Sequence, residues 1–170
     1  MNLRPATLDD LALLRYWDEQ PHVMASDPDS DWNWDEELRR DPPWREQLIA
    51  EVEGRPVGIV QVIDPAAEDT HYWGDVPAGL RALDIWIGEA QDLGRGYGTE
   101  MMRQVLNRCF EAPGVEAVLL DPLVSNTRAH RFYERLGFRR IERRRFEGQE
   151  CYVYRIDRPD WRERVSGSCS

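Results

Sequence analysis

The chain has 170 residues, of which 41% are hydrophobic and 32% charged, and it carries a net charge of −10. That composition supports a folded core and excludes intrinsic disorder. No apolar run approaches the ~18 residues of a membrane span, and an acidic chain lacks the basic footprint that nucleic acid requires, so neither a membrane nor a nucleic acid is expected as a partner.

The chain opens Met1-Asn2-Leu3-Arg4-Pro5, without the apolar core of a signal peptide, so a cytoplasmic protein is expected. Leu3-Arg4 reads as a short strand. Thr7-Leu8-Asp9-Asp10 reads as a capping box, and Leu8, Leu11, Leu14 and Trp17 then mark a helix. Residues 21–31 are rich in Pro, Asp and Ser and read as loop. Trp32-Asn33-Trp34 opens a shorter helical stretch that ends before Pro42-Pro43.

Residues 47–53 and 56–63 read as two strands of a hairpin, joined at Glu53-Gly54. Residues 64–79 form a long acidic and aromatic loop, and loops of that length in compact domains are commonly functional. Residues 82–88 follow as a strand. Then comes Leu93-Gly94-Arg95-Gly96-Tyr97-Gly98-Thr99, and an amphipathic run spans 99–110. Strand, glycine turn and helix in that order make a cradle for a phosphorylated ligand. Glycine lets the backbone approach closely, and a helix N-terminus offers unpaired N–H groups with partial positive charge.

Residues 115–120 read as a clean apolar strand closed by Asp121-Pro122. Residues 126–136 read as a helix that Gly137 stops. Residues 138–145 and 150–156 make a last hairpin around Glu147-Gly148, and the run Arg143-Arg144-Arg145 reads as its solvated edge. The expected domain covers 1–160, with 161–170 a flexible tail. The sum is an α+β domain with a mixed, mostly antiparallel twisted sheet flanked by helices. Cys109, Cys151 and Cys169 fit neither a metal site nor a disulfide framework. His22, His71 and His130 show no metal spacing either, so no metal is expected.

Two linked motifs narrow the reading. Gly94-Arg95-Gly96-Tyr97-Gly98-Thr99 is followed by Ser125-Asn126-Thr127-Arg128-Ala129-His130-Arg131-Phe132-Tyr133-Glu134-Arg135-Leu136-Gly137-Phe138. In order and spacing the pair resembles the acetyl-CoA motifs of the GNAT N-acetyltransferases. Asp84, Asp121-Pro122, the loop carrying Asp69, Tyr72 and Trp73, and a Trp-rich loop after the first helix resemble the aminoglycoside 6'-N-acetyltransferases among them. The resemblance covers residues 3–156 and rests chiefly on 82–138.

The resemblance implies a sheet splayed at the acetyl-CoA site and direct attack of an amine on the thioester. The N–H groups of Arg95, Gly96, Gly98 and Thr99 would meet the pyrophosphate, with Leu93, Gly94 and Tyr97 completing the turn. Leu93 departs from the Gln or Arg usual in the family, and its backbone still serves. The backbone around Ile87 would meet the thioester, and Asn126 and Ala129 the pantetheine arm. Asp84 interrupts an apolar strand, where an unassigned carboxylate is costly; by resemblance it is the general base. Tyr133 would protonate the thiolate, while Phe132 fills the core.

An aminoglycoside carries several ammonium groups and flat sugar faces. Asp69, Asp84 and Asp121 suit the first, and Trp32, Trp34, Tyr72 and Trp73 the second. Gly74-Asp75 departs from the aromatic or acidic residues common after Trp73. The expected partner is therefore a small polycationic aminoglycoside, and the protein a monomer or homodimer. Alternatives are a GNAT enzyme for another small amine, a hydroxylamine of a siderophore precursor, or a protein amine. A CoA-binding module without catalysis would need neither Asp84 nor Tyr133.

Overall fold

A computed structural model describes residues 1–29 and 31–167. In chain order the elements are β1 (Asn2–Pro5), α1 (Leu11–Asp18), α2 (Pro21–Ser26), α3 (Trp34–Glu37), β2 (Arg45–Val52), β3 (Arg55–Ile63), β4 (Leu80–Ile87), α4 (Tyr97–Glu111), β5 (Ala117–Leu120), α5 (Thr127–Leu136), β6 (Arg139–Phe146), β7 (Gln149–Asp157) and α6 (Arg158–Gly167). The strands hydrogen-bond in the order β1-β2-β3-β4-β5-β7-β6. β1 with β2, β5 with β7 and β6 with β7 run antiparallel, whereas β4 and β5 run parallel. The α+β expectation, with a mixed sheet flanked by helices, holds. The β4–β5 register runs from Leu80↔Ala117 to Ala82↔Leu119, so Asp84 to Ile87 lie past its last pair.

The chain packs as two compact units, the first comprising residues 1–62 and 84–105, the second 63–83 and the chain from 106 onward. In the first, Leu14, Trp17, Trp34, Ile49 and Ile59 form one apolar cluster, and Ala50, Val57 and Met101 another. The Asp10 carboxylate accepts from the Thr7 backbone N–H at 2.8 Å, and both its oxygens receive the Arg4 fork, at 2.8 and 2.7 Å. Gly88 has a steric reason. A Cβ there would stand 2.0 Å from Cε2 of the fully buried Trp17.

Residues 21–26 are helix, not the expected loop. Pro21 occupies the first helical turn, where its missing N–H costs nothing and its fixed φ favours the helix. His22 ties this helix down, its Nε2–H donating to the Ile87 carbonyl at 2.8 Å.

In the second unit, Trp73, Leu80, Ala82, Ala117, Leu119, Phe146, Cys151 and Val153 form the core. Residues 64–79 carry no helix or strand, as expected. Asn126 caps α5, its Oδ1 accepting from the Ala129 N–H at 3.1 Å, and Gly137 ends the helix at φ 98°. The tail expectation needs correction. Residues 158–167 are a helix, and Trp161 is buried, donating from Nε1 to Asn107 at 2.9 Å. Arg158 roots that helix by donating to the carbonyls of Phe110, Ala112 and Val115. Residues 168–170, with Cys169, lie outside the described residues. Among the described residues no helix is long and apolar enough to cross a membrane, and no group of three His, Cys, Asp or Glu is placed to hold a metal ion.

Candidate active site

The glycine turn lies in the first unit, between a short 3-10 turn at Ala90–Asp92 and α4. Gly94 and Gly96 have φ of 75° and 83°, a region that L side chains rarely adopt. Among the described residues, no atom beyond the flanking residues lies within 4 Å of a Cβ built on either, so their open faces are available to a ligand. α4 starts at Tyr97, two residues before the expected start, and its first helical bond is Glu100 N–H to the Gly96 carbonyl at 3.1 Å. Tyr97, Gly98 and Thr99 therefore supply first-turn N–H groups without intrahelical partners. Leu93 enters the turn in extended conformation, at φ −67° and ψ 141°. The Arg95 side chain is 57% exposed at the rim. Open glycine faces, N–H donors and an exposed guanidinium fit a pyrophosphate.

The turn is anchored from beneath. Asp92 is only 1% exposed, and its two oxygens take the Arg55 fork at 2.7 and 2.9 Å, with Arg95 at 3.4 Å. The Arg55 pair outweighs burial and holds this carboxyl below the usual carboxylate range. Neither Arg55 nor Asp92 was legible as a site residue in the sequence.

Asp84 is half-buried on β4. Trp86 stands two positions on and shares its face by strand alternation. The Trp86 ring packs 5.5 Å from Trp32 and 6.1 Å from Trp34, and Trp32 and Trp34 stack at 5.5 Å. Trp34 is 2% exposed and donates from Nε1 to Asp18 at 2.5 Å. Burial pushes the Asp18 carboxyl up to about 6; nearby Asp27 and Asp31 add to this, and the Trp34 bond opposes it. The expectation of an open Trp34 face is corrected: its ring belongs to the core, and Trp32 and Trp86 hold the half-exposed surface. The alternation from Asp84 is the sequence signal that could have found Trp86; nothing local marked Asp18.

In the second unit the Tyr72 hydroxyl donates to Asp121 Oδ2 at 2.6 Å, joining two predicted acceptor residues. Tyr72 stacks on Phe146 at 4.8 Å. Trp73 is 4% exposed, edge-on to Phe146 at 5.0 Å, and its carbonyl accepts from Arg144 at 2.8 Å. Trp73 is thus a core residue rather than the expected sugar face, because aromatic and apolar neighbours cover its ring. Asp69 is exposed in the same loop. The arginine run lies on the sheet's edge strand with Arg143 and Arg145 exposed, as expected. Arg143 and Arg145 pair with Glu150, and Arg144 lies over Phe146.

Tyr133 and Phe132 exchange their expected positions. Tyr133 is 8% exposed, its ring against Phe132, Phe138 and Tyr154, while Phe132 is half-buried. Asn126 spends its carbonyl oxygen on the cap, leaving its amide N–H groups to offer, and Ala129 spends its N–H there too. The first unit thus holds Trp32, Trp34, Asp84, Ile87 and the turn from Leu93 to Thr99. The second holds Asp69, Tyr72, Trp73, Asp121, Asn126, Ala129 and Tyr133.

A mixed sheet with a glycine cradle at the head of α4 and an Asn-capped α5 defines the class: a transferase that takes its acyl group from coenzyme A. The Acetyltransferase (GNAT) domain family matches residues 6–146, and the chain belongs to that family of acetyl-CoA-dependent acetyltransferases. It is 30% identical to the aminoglycoside N(6')-acetyltransferase type 1 of Klebsiella pneumoniae, over 82% of this chain and 74% of that protein. It is 26% identical to the lysine N-acyltransferase MbtK of Mycobacterium tuberculosis, over 92% of this chain and 77% of the relative. A similar solved structure is the aminoglycoside acetyltransferase AAC(6')-Ib in complex with coenzyme A and kanamycin. Its TM-score is 0.85 at 26% identity, covering 95% of this chain and 97% of that one.

Proposed function

We propose that the protein transfers the acetyl group of acetyl-CoA to the 6'-amine of aminoglycosides, and so confers resistance to them. The observation that carries this reading is the 30% identity, over 82% of the chain, to an aminoglycoside N(6')-acetyltransferase. The acidic and aromatic groups beside Asp84 and around Asp121 support it, because a polycationic sugar needs carboxylates for its ammonium groups and flat faces for its rings. A net charge of −10 steers such a cation inward.

Acetyl-CoA supplies an acyl group activated as a thioester. The turn from Leu93 to Thr99 binds its pyrophosphate through backbone N–H groups and Arg95, Asn126 and Ala129 hold the pantetheine arm, and the backbone at Ile87 meets the thioester end. Asp84 takes a proton from the reacting ammonium, directly or through water, freeing the lone pair that attacks. Tyr133 gives its proton to the departing sulfur. A positioned acid or base of this kind contributes about 10²–10⁴-fold. Asp69, Tyr72, Asp121 and the half-exposed Trp32 orient the acceptor, with Trp34 and Trp73 supporting from the core. The protein works as one catalytic domain in the cytoplasm, as a monomer or homodimer, on small molecules rather than nucleic acid or membrane.

The test is release of CoA thiol from acetyl-CoA against kanamycin-type drugs, free lysine, a siderophore precursor and a basic peptide. Turnover is expected with drugs carrying a 6'-amine and not with analogues carrying a 6'-hydroxyl. Turnover confined to lysine, the siderophore precursor or the peptide would overturn the reading.

A further inference from the structure

Two side chains below the donor turn have no assigned part in the reaction, yet their geometry bears on it. Arg55, on β3, reaches the entry of the turn. Its fork binds Asp92, the residue before Leu93, at 2.7 and 2.9 Å. Past Asp92, Gly94 and Gly96 have open space where a side chain would stand, and the Gly96 carbonyl accepts from Glu100 N–H at 3.1 Å as α4 begins. A segment with two positive-φ glycines and open faces has many accessible conformations, and its shape must come from its ends.

Asp92 also holds Arg95, at the longer distance of 3.4 Å. Arg95 is more than half exposed and is the one side-chain cation that the turn itself presents. Asp92 is all but inaccessible, so losing every partner would carry the cost of an unpaired buried charge. Arg55 removes that difficulty. Its two short bonds keep Asp92 paired when Arg95 swings away toward an anion.

We propose that Arg55 and Asp92 are positioning residues for the donor: they fix the entry of the pyrophosphate turn and park Arg95 where it can be handed to the cofactor. The inference rests on the chain's use of acetyl-CoA and is independent of which amine receives the acetyl group.

Electrostatics alone and positioning predict opposite outcomes for one isosteric change. Asp92→Asn removes a negative charge beside an anion site, which by charge alone tightens CoA binding. Positioning instead predicts weaker binding, because the neutral amide cannot hold the Arg55 fork. Titration calorimetry with CoA, no acceptor present, reads this directly. The expected result for Asp92→Asn is about a tenfold rise in Kd, accompanied by a higher KM for acetyl-CoA and little change in kcat or acceptor KM. The loss caused by Arg95→Met is expected to shrink in the Asp92→Asn background, since both act through one arrangement. CoA binding as tight as wild type, or tighter, in Asp92→Asn would overturn the proposal, as would full additivity with Arg95→Met. Should Asp92→Asn lose its fold by circular dichroism, Arg55→Lys carries the test. It keeps the charge but not the fork, so weakened CoA binding supports positioning and unchanged binding overturns it. Because acceptors are absent, failure of the aminoglycoside panel leaves this outcome unaffected.

Discussion

The hydroxyl of Tyr72 donates to Oδ2 of Asp121 at 2.6 Å, tying the long loop of 64–79 to the residue that closes β5. The bond is charge-assisted and half-buried, the setting in which a hydrogen bond contributes about 1.5–3 kcal/mol. It fixes both a carboxylate and an aromatic face on the proposed acceptor side. Tyr72→Phe keeps the stack on Phe146 and removes only the donor. The acceptor KM is expected to rise about tenfold, with the KM for acetyl-CoA unchanged. Steady-state kinetics with each substrate varied in turn checks this; equal effects on both would argue for general loosening of the unit.

Asp84→Asn tests the proposed base. The substitution keeps shape and polarity but cannot accept the proton. Turnover should fall about 10²-fold or more, while calorimetric binding of CoA stays as in the wild type. Unchanged turnover would remove Asp84 from the chemistry.

Asp18 supplies a pH prediction. Burial pushes its carboxyl up to about 6 from an ordinary value of 3.8, with Asp27 and Asp31 contributing and the Trp34 bond opposing. The folded state therefore holds this proton more tightly than the unfolded chain. Its contribution to stability is greatest below pH 3.8, falls as pH rises to about 6, and is flat above. Asp18→Asn keeps an acceptor for Trp34 and removes the ionisation. At pH 8 the variant should be more stable by about 1 kcal/mol, after discounting for solvent screening, or about 3 °C in Tm. The difference should vanish by pH 3.5. Thermal melts across pH check the sign, and a gap independent of pH would contradict it.

Gly88→Ala probes packing rather than chemistry. The new methyl would stand 2.0 Å from the buried Trp17 ring, which is fully enclosed and cannot step aside. Overpacking of this kind costs about 3 kcal/mol, or about 10 °C in Tm for a domain of this size. A melt within about 2 °C of wild type would mean that Trp17 repacks freely.

Features set by local chemistry were legible in the sequence. The glycine turn and the Gly137 stop each depend on residues a few positions apart. The hairpin turns at Glu53-Gly54 and Glu147-Gly148 are likewise local, with positive φ at all four residues. Pro21 shows the limit of such cues: the same residue breaks a helix or begins one, and the helix at 21–26 is tied by His22 to Ile87, 65 residues on. The helix at 158–167 escaped notice for the same reason, since Arg158 takes its partners from 110–115.

The sequence by itself determined a cradle for a phosphorylated ligand, because three alternating glycines ahead of a helix follow from backbone geometry. The acetyl-CoA donor came from the resemblance of that turn and the helix bearing Tyr133 to the GNAT motifs. Tertiary structure alone decided which aromatic rings are walls and which are core, placing Trp34, Trp73 and Tyr133 inside and leaving Trp32, Tyr72 and Phe132 partly open. It also decided that Asp92 is gripped by Arg55, 37 residues away. Burial and long-range charge pairing depend on every neighbour a fold brings to a side chain, and no window of local sequence contains those neighbours.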